Sequence, residues 1–217
     1  MTRLGPLILC FSLGAGLLAC GSNASSAAPQ GLAAMPLSND VSGWTVDQSS
    51  TKTANVRALT ATTESGVENI IDGAATPFFE AGYTPNLFAL QYYVNSSLPS
   101  APPDPAQGNP EGASIILYVM EYASAADASG EYAATLQKYP SQYGTASDWQ
   151  DPVTSGLGQD SRIKDTNTSW EINFHQDAYY VELQLSPSFG PAPDYTPSNP
   201  DNKSAAITFA QWVASKL

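Results

Sequence analysis

The sequence predicts a single α+β domain in which about three helices pack on a mostly antiparallel sheet. Two periodicities point there: apolar residues at helical spacing in three stretches, and short alternating or wholly apolar runs between them. Helices and antiparallel strands in this order imply helices laid on a sheet. Of 217 residues, about 198 remain once the leader described next is removed. That is enough for one domain with a real core and does not require two.

The chain opens with Arg3, an apolar run through Leu7, Ile8, Leu9, Phe11 and Leu13, and then Leu17-Leu18-Ala19-Cys20 before the small polar residues Gly21 to Ser26. A charged start, an apolar middle and small residues at the cut are the layout of a secretory signal peptide over residues 1–19. The run from Gly5 to Ala19 is too short and too broken for a transmembrane anchor, which needs about 20 apolar residues. Leu17-Leu18-Ala19-Cys20 resembles the lipobox of bacterial lipoproteins. That resemblance implies that Cys20 is acylated and becomes the first residue of the mature chain, with the lipid bilayer as its partner. Gly21 after the cysteine implies outer-membrane delivery if the cell has two membranes. More than one acyl chain, at ~0.8 kcal/mol per buried methylene, makes such an anchor durable. From there to about Ser42 the sequence is small and polar, so residues 20–42 read as a flexible tether and residues 43–217 as the domain.

Gly43-Trp44-Thr45-Val46-Asp47 predicts a short first strand anchored by the indole. Ser65-Gly66-Val67-Glu68 has capping-box spacing and predicts a helix start there, with Val67, Ile70, Ile71, Ala74 and Phe78 as its apolar face. Pro77 is expected to kink it and Gly82 to stop it. Leu87 to Val94 reads as a strand with Phe88, Leu90, Tyr92 and Val94 inward, and Ser114 to Met120 as a central strand, apolar on both faces. A second helix is predicted from Ser124 to Tyr139, its stripe being Ala125, Ala128, Tyr132, Leu136 and Tyr139. Three strands follow, Ser161 to Lys164, Ser169 to His175 and Ala178 to Gln184, with Ile163, Trp170, Ile172, Phe174, Tyr179, Val181 and Leu183 inward. A last helix carries Ala206, Phe209, Ala210, Val213 and Leu217. Two proline-rich connections, 98–112 and 187–203, exceed the ~12–15 residues usual for loops in a compact domain.

The formal charge is −12, and losing Arg3 with the leader makes it −13. Such a surface argues against nucleic acid, whose phosphates reward lysine and arginine, and it holds the domain off anionic headgroups. Cys10 leaves with the leader and Cys20 is committed to lipid, so the mature domain has no disulfide, cysteine metal site or thiol nucleophile. Packing alone must hold it, and an aromatic content of 10% makes that feasible.

Ile70-Ile71-Asp72-Gly73-Ala74-Ala75, followed by Phe78-Phe79 and Gly82-Tyr83, resembles a family of bacterial secreted domains of unknown function. In that family an Ile-(Asp/Asn)-Gly-Ala-Ala stretch precedes aromatic residues and a Gly-aromatic pair. Tyr118 to Tyr122 and Ala126-Asp127-Ala128-Ser129-Gly130 resemble its strand and alanine-glycine helix centre. The resemblance implies a fold and no activity, and it makes Asp72 and Gly73 motif residues.

No HExxH, GxSxG, P-loop or dinucleotide fingerprint is present, so no catalytic residue, metal site or cofactor is predicted. The sole histidine, His175, falls at a predicted hairpin tip and reads as an exposed turn residue. Glu68 and Asp72, four apart on the first helix, read as a solvated face. A more informative group lies on the sheet. With Gln176-Asp177 and Thr166-Asn167 as two-residue turns, Glu171 faces Glu182, Asn173 faces Tyr180, and Arg162 falls beside Glu171. Opposed carboxylates are costly unless a cation intervenes. The outward row Arg162, Glu171, Asn173, Tyr180 and Glu182 is therefore a candidate recognition face for an envelope glycan or protein. Its rivals are a plain solvated or helix-covered sheet face, an envelope hydrolase working through paired carboxylates, and a structural subunit of an envelope complex. Replacing Cys20 with serine is expected to move the protein from the membrane fraction to the soluble one. Unchanged partitioning on membrane flotation would rule out the lipid anchor.

Overall fold

The computed structural model describes residues 30–48, 58–71, 78–79, 82–98, 112–138, 144–151, 156–166, 169–186 and 200–217. Among these residues seven strands form one sheet: β1 (Thr45–Val46), β2 (Leu59–Ala61), β3 (Leu87–Asn95), β4 (Ala113–Glu121), β5 (Asp160–Asp165), β6 (Trp170–Gln176) and β7 (Tyr179–Ser186). The order is β1-β3-β4-β7-β6-β5, with β2 also pairing β3, and every named pairing is antiparallel. Among the described residues four α-helices accompany it: α1 (Gln30–Ala33), α2 (Glu64–Ile71), α3 (Ala125–Lys138) and α4 (Pro200–Ala214). The architecture is thus the α+β class that the periodicities predict.

Both sheet faces are covered, and each has its own core. On one side α4 lays Ala206, Phe209, Ala210 and Val213 against Ile115, Leu117, Val119, Ile172, Phe174, Val181 and Leu183. Phe209 meets Trp44 and Tyr93 edge-on, with centroids 5.5 and 4.9 Å apart, the geometry the ring quadrupoles favour. On the other side α2 and α3 contribute Val67 and Ala128 to a cluster with Phe78, Phe88, Leu90, Met120 and Tyr180. All seven residues expected to point inward from the last three strands are buried, as are Ala206, Phe209, Ala210 and Val213, whereas Leu217 lies beyond the end of the last helix and is half-buried. β4 is central, between β3 and β7.

Several expectations change. The tether does not extend to residue 42, because Ala34, Met35 and Val41 are buried in the α4-side core. The Tyr93 hydroxyl donates to the Pro36 carbonyl at 3.1 Å and holds this segment against β3. The body of the domain therefore begins by Gln30. On β3, Tyr93 is buried while Tyr92 and Val94 are only half-buried, since the α4-side core takes the opposite alternation there. Thr63 rather than Ser65 caps α2: its hydroxyl accepts from the Gly66 amide at 3.2 Å and its carbonyl from Val67 at 3.0 Å. Residues 72–77, and with them Asp72, Gly73 and the expected kink at Pro77, lie outside the described residues, as does most of each proline-rich connection.

The buried face of α3 differs from the predicted stripe. Ala128, Glu131 and Thr135 are buried and Tyr132 is half-buried, whereas Ala125 is exposed. Ser124 starts the helix, its hydroxyl accepting from the Asp127 amide at 3.2 Å. Gly130 and Tyr83, two pieces of the resemblance noted above, are in contact: a Cβ at 130 would occupy the space of the Tyr83 ring.

Two glycines give a paired test. Gly156 and Gly158 have φ of +94° and +62°, but only a Cβ at 158 would run into the His175 carbonyl and the Phe174 ring, while 156 faces open space. Gly156→Ala is expected to cost about 1 kcal/mol of backbone strain. Gly158→Ala adds an unrelieved backbone clash and should cost about 2–4 kcal/mol. Denaturant midpoints of the two variants check the difference, which equal losses would contradict.

Candidate functional site

The five sheet residues singled out from the sequence do share one face, but that face is not outward. Arg162, Asn173, Tyr180 and Glu182 are buried and Glu171 is half-buried, because α3 crosses β6 and β7 on that side. The helix-covered sheet face, weighed above as a rival to the recognition surface, describes most of the row.

The register also differs. The β6–β7 turn is Asp177-Ala178, with Gln176 opposite Tyr179, because Asp177 takes the left-handed conformation at φ 47°. Moving the turn by one residue shifts each partner by two, which preserves faces and exchanges neighbours. Asn173 therefore faces Glu182, Glu171 faces Gln184, and His175 faces Tyr180. Between β5 and β6 the connection runs from Thr166 to Ser169: the Thr166 amide and hydroxyl donate to the Ser169 carbonyl at 3.0 and 3.2 Å, the Ser169 amide donates to the Thr166 hydroxyl at 3.0 Å, and the two hydroxyls lie 2.8 Å apart. Arg162 consequently faces Asn173, and Lys164 stands opposite Glu171 with an ion pair of 2.8 Å. Lysine, and not arginine, is the intervening cation.

Beneath α3 the polar groups are joined. The Tyr180 hydroxyl donates to Glu182 Oε1 at 2.7 Å and accepts from Asn173 Nδ2 at 3.0 Å. Arg162 donates to the Tyr132 carbonyl at 2.9 Å and the Thr135 hydroxyl at 2.6 Å, both on α3. His175 is buried and not exposed at a turn; its Nε2 lies 3.2 Å from Asp160 Oδ2, and its ring packs 5.2 Å from that of Tyr132. Burial raises the pKa of Tyr180 well above its ordinary value, and the Glu182 charge adds to this against the opposing pull of Arg162. Burial likewise raises Tyr118, with Glu182 and Tyr92 contributing, and Tyr122, with Glu131 and Glu182 contributing.

Where α3 no longer covers the sheet, a half-open pocket of about 150 Å³ remains. It is lined by Phe78, Tyr118, Glu171, Asn173, Glu182, Leu183 and Gln184. Three of the five predicted residues meet there. Tyr180 lies behind them as the hydrogen-bond bridge, and Arg162 lines a different groove. Glu171 and Glu182 are diagonal neighbours on adjacent strands, a relation that sets the residues about 7–8 Å apart, with their Cβ atoms somewhat closer. Phe78 and Tyr118, whose rings lie 5.9 Å apart, add aromatic surface.

Chemically, the pocket offers two carboxylates as acceptors, two amides that donate and accept, and aromatic faces for C–H groups. Sequence reasoning missed Phe78, Tyr118 and Gln184. Gln184 follows from the alternation of β7, while Phe78 belongs to no strand and carried no such signal. Among the described residues no three His, Cys, Asp or Glu side chains gather as metal ligands. Cys20, Asp72 and Gly73 lie outside the described residues. In comparisons with known proteins, no family model, no curated protein and no solved structure matches this chain.

The buried tyrosines set an alkaline limit. Their folded pKa values lie above the ordinary 10.0. The stability they contribute by staying neutral is complete below about pH 10 and is lost as pH rises from there through the folded values. Denaturant midpoints measured upward from pH 8 should hold and then fall beyond about 10. Tyr180→Phe should shallow that fall and cost about 1–3 kcal/mol at neutral pH, where Asn173 and Glu182 lose a buried partner.

Proposed function

We propose that this chain is an exported lipoprotein of the cell envelope, anchored through acylated Cys20, whose domain is a non-enzymatic binding module. Its ligand is a small donor-rich group, of the kind a sugar at the end of an envelope glycan presents. The observation that carries the reading is the convergence of Glu171, Asn173 and Glu182 with Gln184, Phe78 and Tyr118 around one half-open pocket. Sugar hydroxyls donate to carboxylates in bonds stronger than neutral ones, and aromatic side chains supply the apolar part of a site that a few polar groups orient. The resemblance of residues 70–83 to a secreted bacterial family agrees with an exported location.

Binding is favoured over hydrolysis by how the carboxylates are engaged. Glu171 is held by Lys164, and Glu182 accepts the Tyr180 hydroxyl, so each is fixed as an acceptor. A volume of about 150 Å³ suits one small group and not a chain threaded through a cleft.

A secreted Cys20→Ser chain applied to an array of envelope glycans is expected to retain a defined subset. Glu182→Gln keeps an acceptor for Tyr180 but loses the charge, and should weaken retention about tenfold. Absence of retention, or retention indifferent to both Glu182→Gln and Glu171→Gln, would remove the pocket from consideration. Release of sugar from the array would instead identify a hydrolase.

A further inference from the structure

A second concavity, of about 360 Å³, opens on the other flank of α3, between that helix, strand β5 and the segment 146–151. Its lining includes Tyr132, Gln137, Trp149, Gln150, Asp151 and Arg162. The Arg162 guanidinium is held between two rings, 4.2 Å from the Tyr132 centroid and 5.0 Å from that of Trp149. Lys164 Nζ lies 4.7 Å from the Trp149 ring as well, so two cations converge on one indole in a chain whose net charge is −12.

Arg162 is 5% exposed, yet among the described residues no carboxylate stands within 4.0 Å of it. Its two bonds to α3 go to neutral acceptors, and its Nε is buried with no hydrogen-bond partner. A desolvated cation without a counter-ion is costly, by several kcal/mol in general. Asp160 does not fill the role, since its carboxylate is 71% exposed and pairs with His175. The groove thus has a positive element in its lining, aromatic walls, and Gln137, Gln150 and Asp151 exposed at its margin.

We propose that this groove binds an acidic sugar, a ring-borne carboxylate whose anion is compensated by Arg162 and whose ring lies against the half-buried Tyr132 and Leu136. Arginine attracts a carboxylate through charge-assisted N–H donation, here from the Nη hydrogens not bonded to α3, the apolar side of the ring meets Tyr132 and Leu136, and the glutamine amides meet its hydroxyls. Asp151 at the margin is a like charge that restrains affinity. The inference is independent of the Glu171–Glu182 pocket, because the two concavities share no lining residue.

The test is calorimetric titration of the purified full chain with glucuronate, glucose and acetate, with tryptophan fluorescence alongside. Glucuronate should bind about tenfold or more tightly than either glucose, which lacks the charge, or acetate, which lacks the ring. Asp151→Asn should tighten glucuronate a few-fold and leave glucose unmoved. Arg162→Lys, if its thermal melt shows it folded, should abolish the preference for glucuronate over glucose. Should that variant not fold, the direction of the Asp151→Asn change decides. Equal binding of glucuronate with glucose or with acetate, no heat with any of them at millimolar concentration, or an unchanged affinity in Asp151→Asn would overturn the proposal.

Discussion

The guanidinium of Arg162 joins an outer strand of the sheet to helix α3 through two hydrogen bonds, to the Tyr132 carbonyl and the Thr135 hydroxyl. Much of this side of the molecule follows from that contact. A helix laid on a sheet face carrying Arg162, Asn173, His175, Tyr180 and Glu182 would strand polar groups away from water, at about 1–3 kcal/mol for each neutral one. α3 meets that face with Glu131 and Thr135, not with leucines, and the Tyr180 hydroxyl links Asn173 to Glu182. Because such bonds are directional, they hold the helix in one position, whereas greasy contacts alone would tolerate sliding. The groove lined by Arg162 lies at the margin of that fixed helix.

The two faces of the sheet therefore divide the work. The α4 side is mostly apolar and supplies most of the burial, with Phe209 packed between Trp44 and Tyr93. The α3 side is mixed, and its polar side chains converge instead of dispersing. Lys164 pairs with Glu171 there, and His175 lies within hydrogen-bond distance of Asp160. A polar network of this kind contributes less to stability than an equal area of hydrocarbon, but its directional bonds fix where the helix sits.

The apolar side was readable from periodicity alone. Ile163, Ile172, Phe174, Val181 and Leu183 alternate cleanly, and Ala206, Phe209, Ala210 and Val213 recur at helical spacing, so strands, helix and orientation followed. The polar side was legible only as a grouping. Alternation put Arg162, Glu171, Asn173, Tyr180 and Glu182 on one face, and it survived a register error because that error was of even length. Burial was not legible, since hydrophobic patterning discounts Glu131 and Thr135, the residues by which α3 docks. Which residues faced each other turned on Asp177 adopting a left-handed conformation, a choice no local apolar pattern records. Residues 30–42 misled for a related reason: small and polar on average, they nevertheless deliver Ala34, Met35 and Val41 to the core.

That last segment has a mechanical consequence. With Met35 buried and Tyr93 fastened to Pro36, the folded body begins no later than Gln30, ten residues after Cys20. Ten residues reach no further than about 35 Å even when drawn straight. A lipid on that cysteine would confine the domain to a layer hardly deeper than its own width, so anything it captures must itself come close to the bilayer.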